Sequence, residues 1–211
     1  MEARRGRRPG GAGRQGSRVP TDQADGRVLG IDPGTAVTGW GVVERRGAGF
    51  AHLAHGTVVT RAGAPLAAKL VAIHAALAEL WGAWAPAVLA IERTFVGRNV
   101  QSAFRLGEVR GVAMVVAAAA GAAVVEYTPA EVKLAVTGSG RAEKPQVQRM
   151  VARELGLAAP PAADAADALA VAICHLQSAR MRLVLAAVSG GRGVVPARLA
   201  GGRAAAPGAA R

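Results

Sequence analysis

The sequence predicts an α/β fold, a mixed five-stranded sheet flanked by helices. Three observations predict it. Residues 27 to 60 hold three strand-like runs joined by short turns. Beyond residue 65, apolar residues recur at helical spacing in long segments that alternate with two short apolar runs of strand length. The chain of 211 residues, 51% hydrophobic, suits one domain with a real core.

Each element has its own reason. Arg27 to Asp32 is the first strand, a Val28-Leu29-Gly30-Ile31 run ending on a carboxylate. Pro33 and Gly34 turn the chain. Thr38 to Arg45 is the second strand, with Gly39 and Gly41 where another backbone can come close. Arg46-Gly47-Ala48-Gly49 makes a hairpin into the third, Phe50 to Thr60. Leu66, Leu70, Ile73, Leu77 and Leu80 share one helical face, so 65 to 84 is an amphipathic helix ended by Pro86. Trp81 and Trp84 pack at its end. Ala87 to Ile91 is a buried strand, 100 to 120 a second helix, and Ala122 to Glu126 the fifth strand. Thr128 and Glu131 form a capping box at the next helix start. Pro145 to Leu155 and Ala163 to Ala179 are further helices. A three-strand meander followed by helix, strand, helix, strand matches the ribonuclease H-like arrangement, three antiparallel strands and then parallel ones.

The net charge of +12 sits mostly at the ends: residues 1–27 and 178–211 together carry +10, and the middle only +2. The domain therefore spans 27–178, between a disordered basic tail (1–26) and a Gly/Ala/Arg-rich tail (179–211). Such tails add non-specific phosphate affinity or merely solubilise. The longest apolar run, Val112 to Val125, is too short to cross a bilayer, and the N-terminus has no apolar signal core. Cys174 is the only cysteine, so no internal disulfide forms. No membrane association and a cytoplasmic location are expected.

The acids carry the chemistry. Of eleven in the middle region, Asp32 and Glu92 sit at the ends of strands, where ligands of open α/β sheets gather. Asp164 and Asp167, in "PAADAADALAVAICH", are three apart at the start of an apolar helix, with Cβ atoms about 5–6 Å apart on one face. Singly, each is explained as a turn or helix cap. Four carboxylates packed together would repel, and some would stay protonated. Two divalent cations neutralise them, and oxygen ligands without a Cys or His cluster favour Mg²⁺ or Mn²⁺. Two such ions about 3.5–4 Å apart suit phosphoryl displacement, with Asp32 between them.

Four stretches, "LGIDPGTAVTGWGVV", "AIERTFVGRNVQSAFRLGEVRGV", "TPAEVKLAVTGSGRAEKPQVQRMV" and "ADAADALAVAICH", resemble the RuvC family of Holliday junction resolvases across about residues 28–177. The resemblance places Asp32, Glu92, Asp164 and Asp167 at the family's catalytic acid positions. It implies a homodimer that binds a four-way DNA junction and, with Mg²⁺, nicks two strands of like polarity, leaving 5′-phosphate and 3′-hydroxyl ends. It also implies as partners a branch-migration motor and its junction-binding subunit. Phe95 reads as a core anchor or, by resemblance, as a wedge stacking on junction bases, with Arg98 beside it. Lys133 and Lys144 match family lysines near the DNA backbone. His175, two turns past Asp167, reads as a structural histidine more readily than as a ligand. The small residues Ala103, Gly107 and Gly111 suit core packing or, by family analogy, a dimer interface.

Three other readings remain open on the residues. A sugar-kinase or actin-like ATPase needs two lobes. A non-catalytic DNA-binding module leaves the acids as caps. A ribonuclease H-like nuclease can act on another substrate, because fold and acids do not fix substrate.

Overall fold

The computed structural model describes residues 26–93 and 100–188. The elements are β1 (Val28–Asp32), β2 (Val37–Arg46), β3 (Gly49–Val59), α1 (Leu66–Trp84), β4 (Val88–Glu92), α2 (Val100–Ala119), β5 (Ala123–Tyr127), α3 (Pro129–Thr137), α4 (Lys144–Glu154) and α5 (Ala163–Val188). The strands form one sheet in the order β3-β2-β1-β4-β5. β1, β2 and β3 pair antiparallel, and β4 and β5 run parallel to β1. This is the expected mixed, ribonuclease H-like sheet.

Strand side chains alternate between two faces. On one face Leu29, Ile31, Val42 and Leu89 meet Ile73, Leu77 and Trp81 of α1 and Val109, Ala113 and Val116 of α2. On the other, Val28, Val43, Val88 and Ala90 meet α3, α4 and α5 through Val132, Val147, Val151, Leu169 and Ile173. α1 has the length and mean hydropathy (1.4) of a membrane span. It is instead a surface helix, rich in Ala, whose Ile73, Leu77 and Trp81 are buried on the sheet. The capping box forms as read: the Thr128 hydroxyl accepts from the Glu131 amide, and Glu131 accepts from the Thr128 amide.

α5 lies directly on the backbone of β1 and β2. A Cβ on Gly30 would fall 2.0 Å from the Ala168 carbonyl oxygen, and one on Gly39 would fall 1.9 Å from that of Asp164. One on Gly41 would meet the Leu169 side chain at 2.4 Å. The glycines thus open a trough, and Ala165, Ala168 and Ala172 on the helix are small enough to settle into it. Farther along, Arg45 donates to the Leu176 carbonyl. Arg180 donates to that of Ala48 at 3.3 Å.

One boundary differs from the sequence reading. α5 does not stop at Ala179 but continues to Val188, into the segment expected to be a disordered tail. The physical reason is local. Residues 180–188 contain good helix formers and no Gly or Pro, and the first breaker is Gly190. Compositional bias of the last segment as a whole had hidden this.

The trough generates a contrast between glycines. Gly30→Ala is expected to destabilise the protein by about 1–3 kcal/mol, since its methyl meets backbone that cannot step aside. Gly82 in α1 faces open space, so Gly82→Ala is expected to gain up to about 1 kcal/mol. Urea midpoints of the two variants check this. Equal effects would show that the trough is not tight.

Candidate active site

The site is assembled at one end of the sheet. β1 and β4 are adjacent and parallel, with Ile31 beside Ile91, so the next residues, Asp32 and Glu92, leave the sheet side by side. Asp32 also pairs across β2 with Gly39, the residue against which the Asp164 carbonyl packs. Docking of α5 in its trough therefore brings Asp164 and, one turn later, Asp167 over the ends of β1 and β4.

The turn after Asp32 is held by threonines. The Thr38 hydroxyl donates to the Gly34 carbonyl at 2.7 Å and accepts from the Gly34 amide at 3.4 Å. The Thr60 hydroxyl donates to the Thr35 carbonyl at 2.7 Å. Thr38, fully buried, supplies the capping that the carboxylate of Asp32 would otherwise be credited with.

Asp32, Glu92, Asp167, Lys133 and Lys144 line a cleft of about 310 Å³ over an apolar floor of Val132, Val147 and Ala170. Burial, then the charges of Asp167, Asp164 and Glu92, push the Asp32 carboxyl up to about 7, against the pull of Lys144. Burial and Asp167 raise Glu92, and Lys144 and Lys133 oppose them. The Lys144 ammonium donates to Asp167 Oδ2 at 3.0 Å. That bond and the Asp167 charge raise the lysine above its usual value. Asp164 is close enough to act on Asp32 but does not line the cleft.

The donors fit a hard divalent cation, because every candidate ligand is a carboxylate oxygen. Repulsion among them, visible in the raised Asp32 and Glu92, is what such a cation relieves. Among the described residues no three Asp, Glu, His or Cys side chains are gathered around one point. Lys144 holds Asp167 instead, so the carboxylates would have to turn toward an ion.

The other expected residues divide. Lys133 and Lys144, expected near the DNA backbone, line the cleft. Phe95 and Arg98 lie outside the described residues. His175 is buried, and its Nδ1 is 2.9 Å from the Tyr127 hydroxyl inside the core. Tyr127 pairs in turn with Glu92 across β4 and β5. Sequence reasoning passed over Arg110. From α2 it donates to the Glu92 carbonyl at 2.5 Å and to the Glu126 carboxylate. Its signal was an Arg next to Val109 in a largely apolar helix, with an acid ending the neighbouring strand.

Comparison with known proteins finds matches in sequence and in fold. The family model for crossover junction endodeoxyribonuclease RuvC matches residues 28–175. The crossover junction endodeoxyribonuclease RuvC of Syntrophotalea carbinolica is 50% identical over 149 residues, 71% of this chain and 92% of that one. That of Rubrobacter xylanophilus is 46% identical over 155 residues, 73% and 87% of the two chains. A Thermus thermophilus RuvC structure superposes with a TM-score of 0.68 at 38% identity, over 74% of this chain and 96% of that one. A second, of T. thermophilus RuvC in complex with Holliday junction substrate, gives 0.71 at 37% identity over the same shares, 74% and 96%.

The crowded charges have a measurable cost. The Asp32 carboxyl protonates at about 7 in the fold and at the ordinary 3.8 when unfolded. The folded state holds more protons across that window, so stability falls as pH rises through it. Asn carries neither the charge nor the slope. In EDTA at about pH 8, Asp32→Asn is expected to be more stable than wild type by on the order of 1–4 kcal/mol, with the difference vanishing near about pH 4. Thermal melts at the two pH values check it. A less stable variant at the higher pH would sink the charge-crowding account.

Proposed function

The chain belongs to the RuvC family of crossover junction endodeoxyribonucleases, and from that premise we propose that Asp32, Glu92, Asp164 and Asp167 form a two-metal site that resolves four-way DNA junctions. The activity is hydrolysis of DNA phosphodiester bonds at crossover junctions. The observation that carries the site is the convergence of acids from β1, β4 and α5 at one end of the sheet, beside Lys133 and Lys144.

Membership of this nuclease family implies dependence on a divalent metal. Mg²⁺, two ions per site with Mn²⁺ as substitute, would lower the pKa of the attacking water and neutralise charge at the leaving 3′ oxygen. Asp32, largely buried and facing the other three acids, would be the residue shared between the ions. Glu92, Asp164 and Asp167 would hold them with it. Asp32 becomes a full carboxylate once positive charge enters the cleft. Lys144, freed from Asp167, and Lys133 would then face the scissile phosphate. The floor of Val132, Val147 and Ala170 limits water to one side. Nicks of like polarity with 5′-phosphate and 3′-hydroxyl ends follow on this reading.

The functional unit we infer is a homodimer, matching a two-fold junction. Phe104 and Val115 on α2 are 70% and 63% exposed. Gly107 and Gly111, on the same face, have nothing within 4 Å of an added Cβ. The monomer's packing therefore does not demand these small residues, which favours pairing along α2. The residues before β1 and after α5, 1–26 and 189–211, serve at most as auxiliary phosphate contacts. A branch-migration motor with its junction-binding subunit, in the cytoplasm, completes the proposal.

Two alternatives lose ground. The described residues form one lobe around one sheet, whereas an ATPase of the actin-like kind needs two. The capping-only reading of Asp32 fails where Thr38 supplies the turn's bonds.

The test is cleavage of a four-way junction and of a linear duplex of the same sequence, with Mg²⁺ or EDTA. Paired, Mg²⁺-dependent nicks in the junction alone are expected. Asp32→Asn is expected to abolish them and to bind the junction as wild type does, read by gel shift. Full cleavage by that variant would remove Asp32 from the site. Deleting residues 1–24 is expected to change the cleavage rate by less than about tenfold at moderate salt, and a greater loss would make the tail functional.

A further inference from the structure

Arg110 is outside the acid cluster and has no part in the chemistry above. Only 12% of its side chain is exposed. Its Nη1 donates to the main-chain oxygen of Glu92 at 2.5 Å, and its Nη2 donates to Glu126 Oε1. Glu126 lies beside Ile91 across β4 and β5, so its side chain projects on the α1–α2 face. Glu92, the next residue along β4, projects on the opposite face into the cleft. The other side of this strand end is tied as well: the Arg93 amide donates to the Tyr127 carbonyl at 2.6 Å, and Arg93 Nε is 3.8 Å from Glu126 Oε2. A planar guanidinium spans carbonyl and carboxylate at once, which an ammonium cannot do.

We propose that Arg110 is a positioning residue for Glu92, bracing the end of β4 from behind the sheet so that the carboxylate in front is aimed into the cleft. The proposal rests on the nuclease reading above. Arg110 holds Glu92 by its main-chain carbonyl, so its loss leaves the carboxylate in place chemically and frees it to wander. It also joins the acid site to α2, the helix whose outer face carries Phe104 and Val115.

The test uses the full chain with Arg110→Gln, Arg110→Lys and Glu126→Gln. Four quantities are read: junction binding in EDTA, the maximal cleavage rate over a Mg²⁺ titration, Mn²⁺ affinity of the DNA-free protein by electron paramagnetic resonance, and Tm. For Arg110→Gln we expect junction affinity within about twofold of wild type, a maximal rate lowered about tenfold to a hundredfold, and Mn²⁺ affinity lowered about tenfold. Arg110→Lys, which keeps charge and stem but not the fork, should fall between the two with nearly wild-type Tm. Glu126→Gln, which spares the bond to the carbonyl, should lose less than Arg110→Gln. Wild-type cleavage and Mn²⁺ affinity in Arg110→Gln would overturn the proposal. So would a parallel loss of binding, cleavage and Tm in all three variants, which would make Arg110 a fold element only. Absence of cleavage by the wild-type chain itself would count against the nuclease reading, and the Mn²⁺ affinities would still decide whether Arg110 aims Glu92.

Discussion

Everything at the site depends on the approach of α5 to the bare backbone of β1 and β2. Gly30, Gly39 and Gly41 leave room for the Ala168, Asp164 and Leu169 region of the helix, with no space for even one methyl. Two of the four acids belong to that helix and two to strand ends. The distance between the pairs is therefore set by backbone contact, the least adjustable spacing a protein offers. A side-chain interface at the same place would let the helix ride higher and would separate the acids.

The second constraint is electrostatic. Bringing four carboxylates together, partly buried, works against the fold. The raised Asp32 and Glu92 record that opposition. Lys144 offsets part of it through its bond to Asp167, and Lys133 through its charge on Glu92. The same two lysines rim the cleft. On the proposed reading, the groups that make the acid cluster tolerable without cations would also be the ones to meet a phosphate. Sites that accept such strain commonly trade stability for activity.

Much of this was legible in the sequence because strand ends and helix starts are marked by single residues. The apolar runs before Asp32 and Glu92, and the apolar helix after Asp167, announced where each acid would stand. Gly39 and Gly41 announced close approach, although not which element would approach. The capping box at Thr128 and Glu131 was readable because it is entirely local. What escaped depends on contacts distant in sequence. Arg110 meets a carbonyl of β4 and an acid of β5, and neither partner is implied by the sequence around it. The partnership of His175 with Tyr127 is of the same kind. The end of α5 was missed for a different reason: the composition of the whole C-terminal segment concealed a helical stretch at its beginning. Phe95, read as a core anchor or by resemblance as a wedge, and Arg98 lie outside the described residues.

The trough under α5 has a consequence for how DNA is handled. A helix seated on glycine backbone, fixed at Arg45 and Arg180 as well, cannot lift to widen the cleft without exposing the core beneath it. Asp164 and Asp167 can turn their side chains, but the helix that carries them is held in place. On the proposed reading, an adjustment larger than side-chain rotation, needed to bring a scissile phosphate among the carboxylates, would fall on the nucleic acid. Deformation is cheapest where strands already part and stacking is already broken. Discrimination between a branched and a continuous duplex would then arise from the stiffness of the substrate, measured against a protein that does not yield.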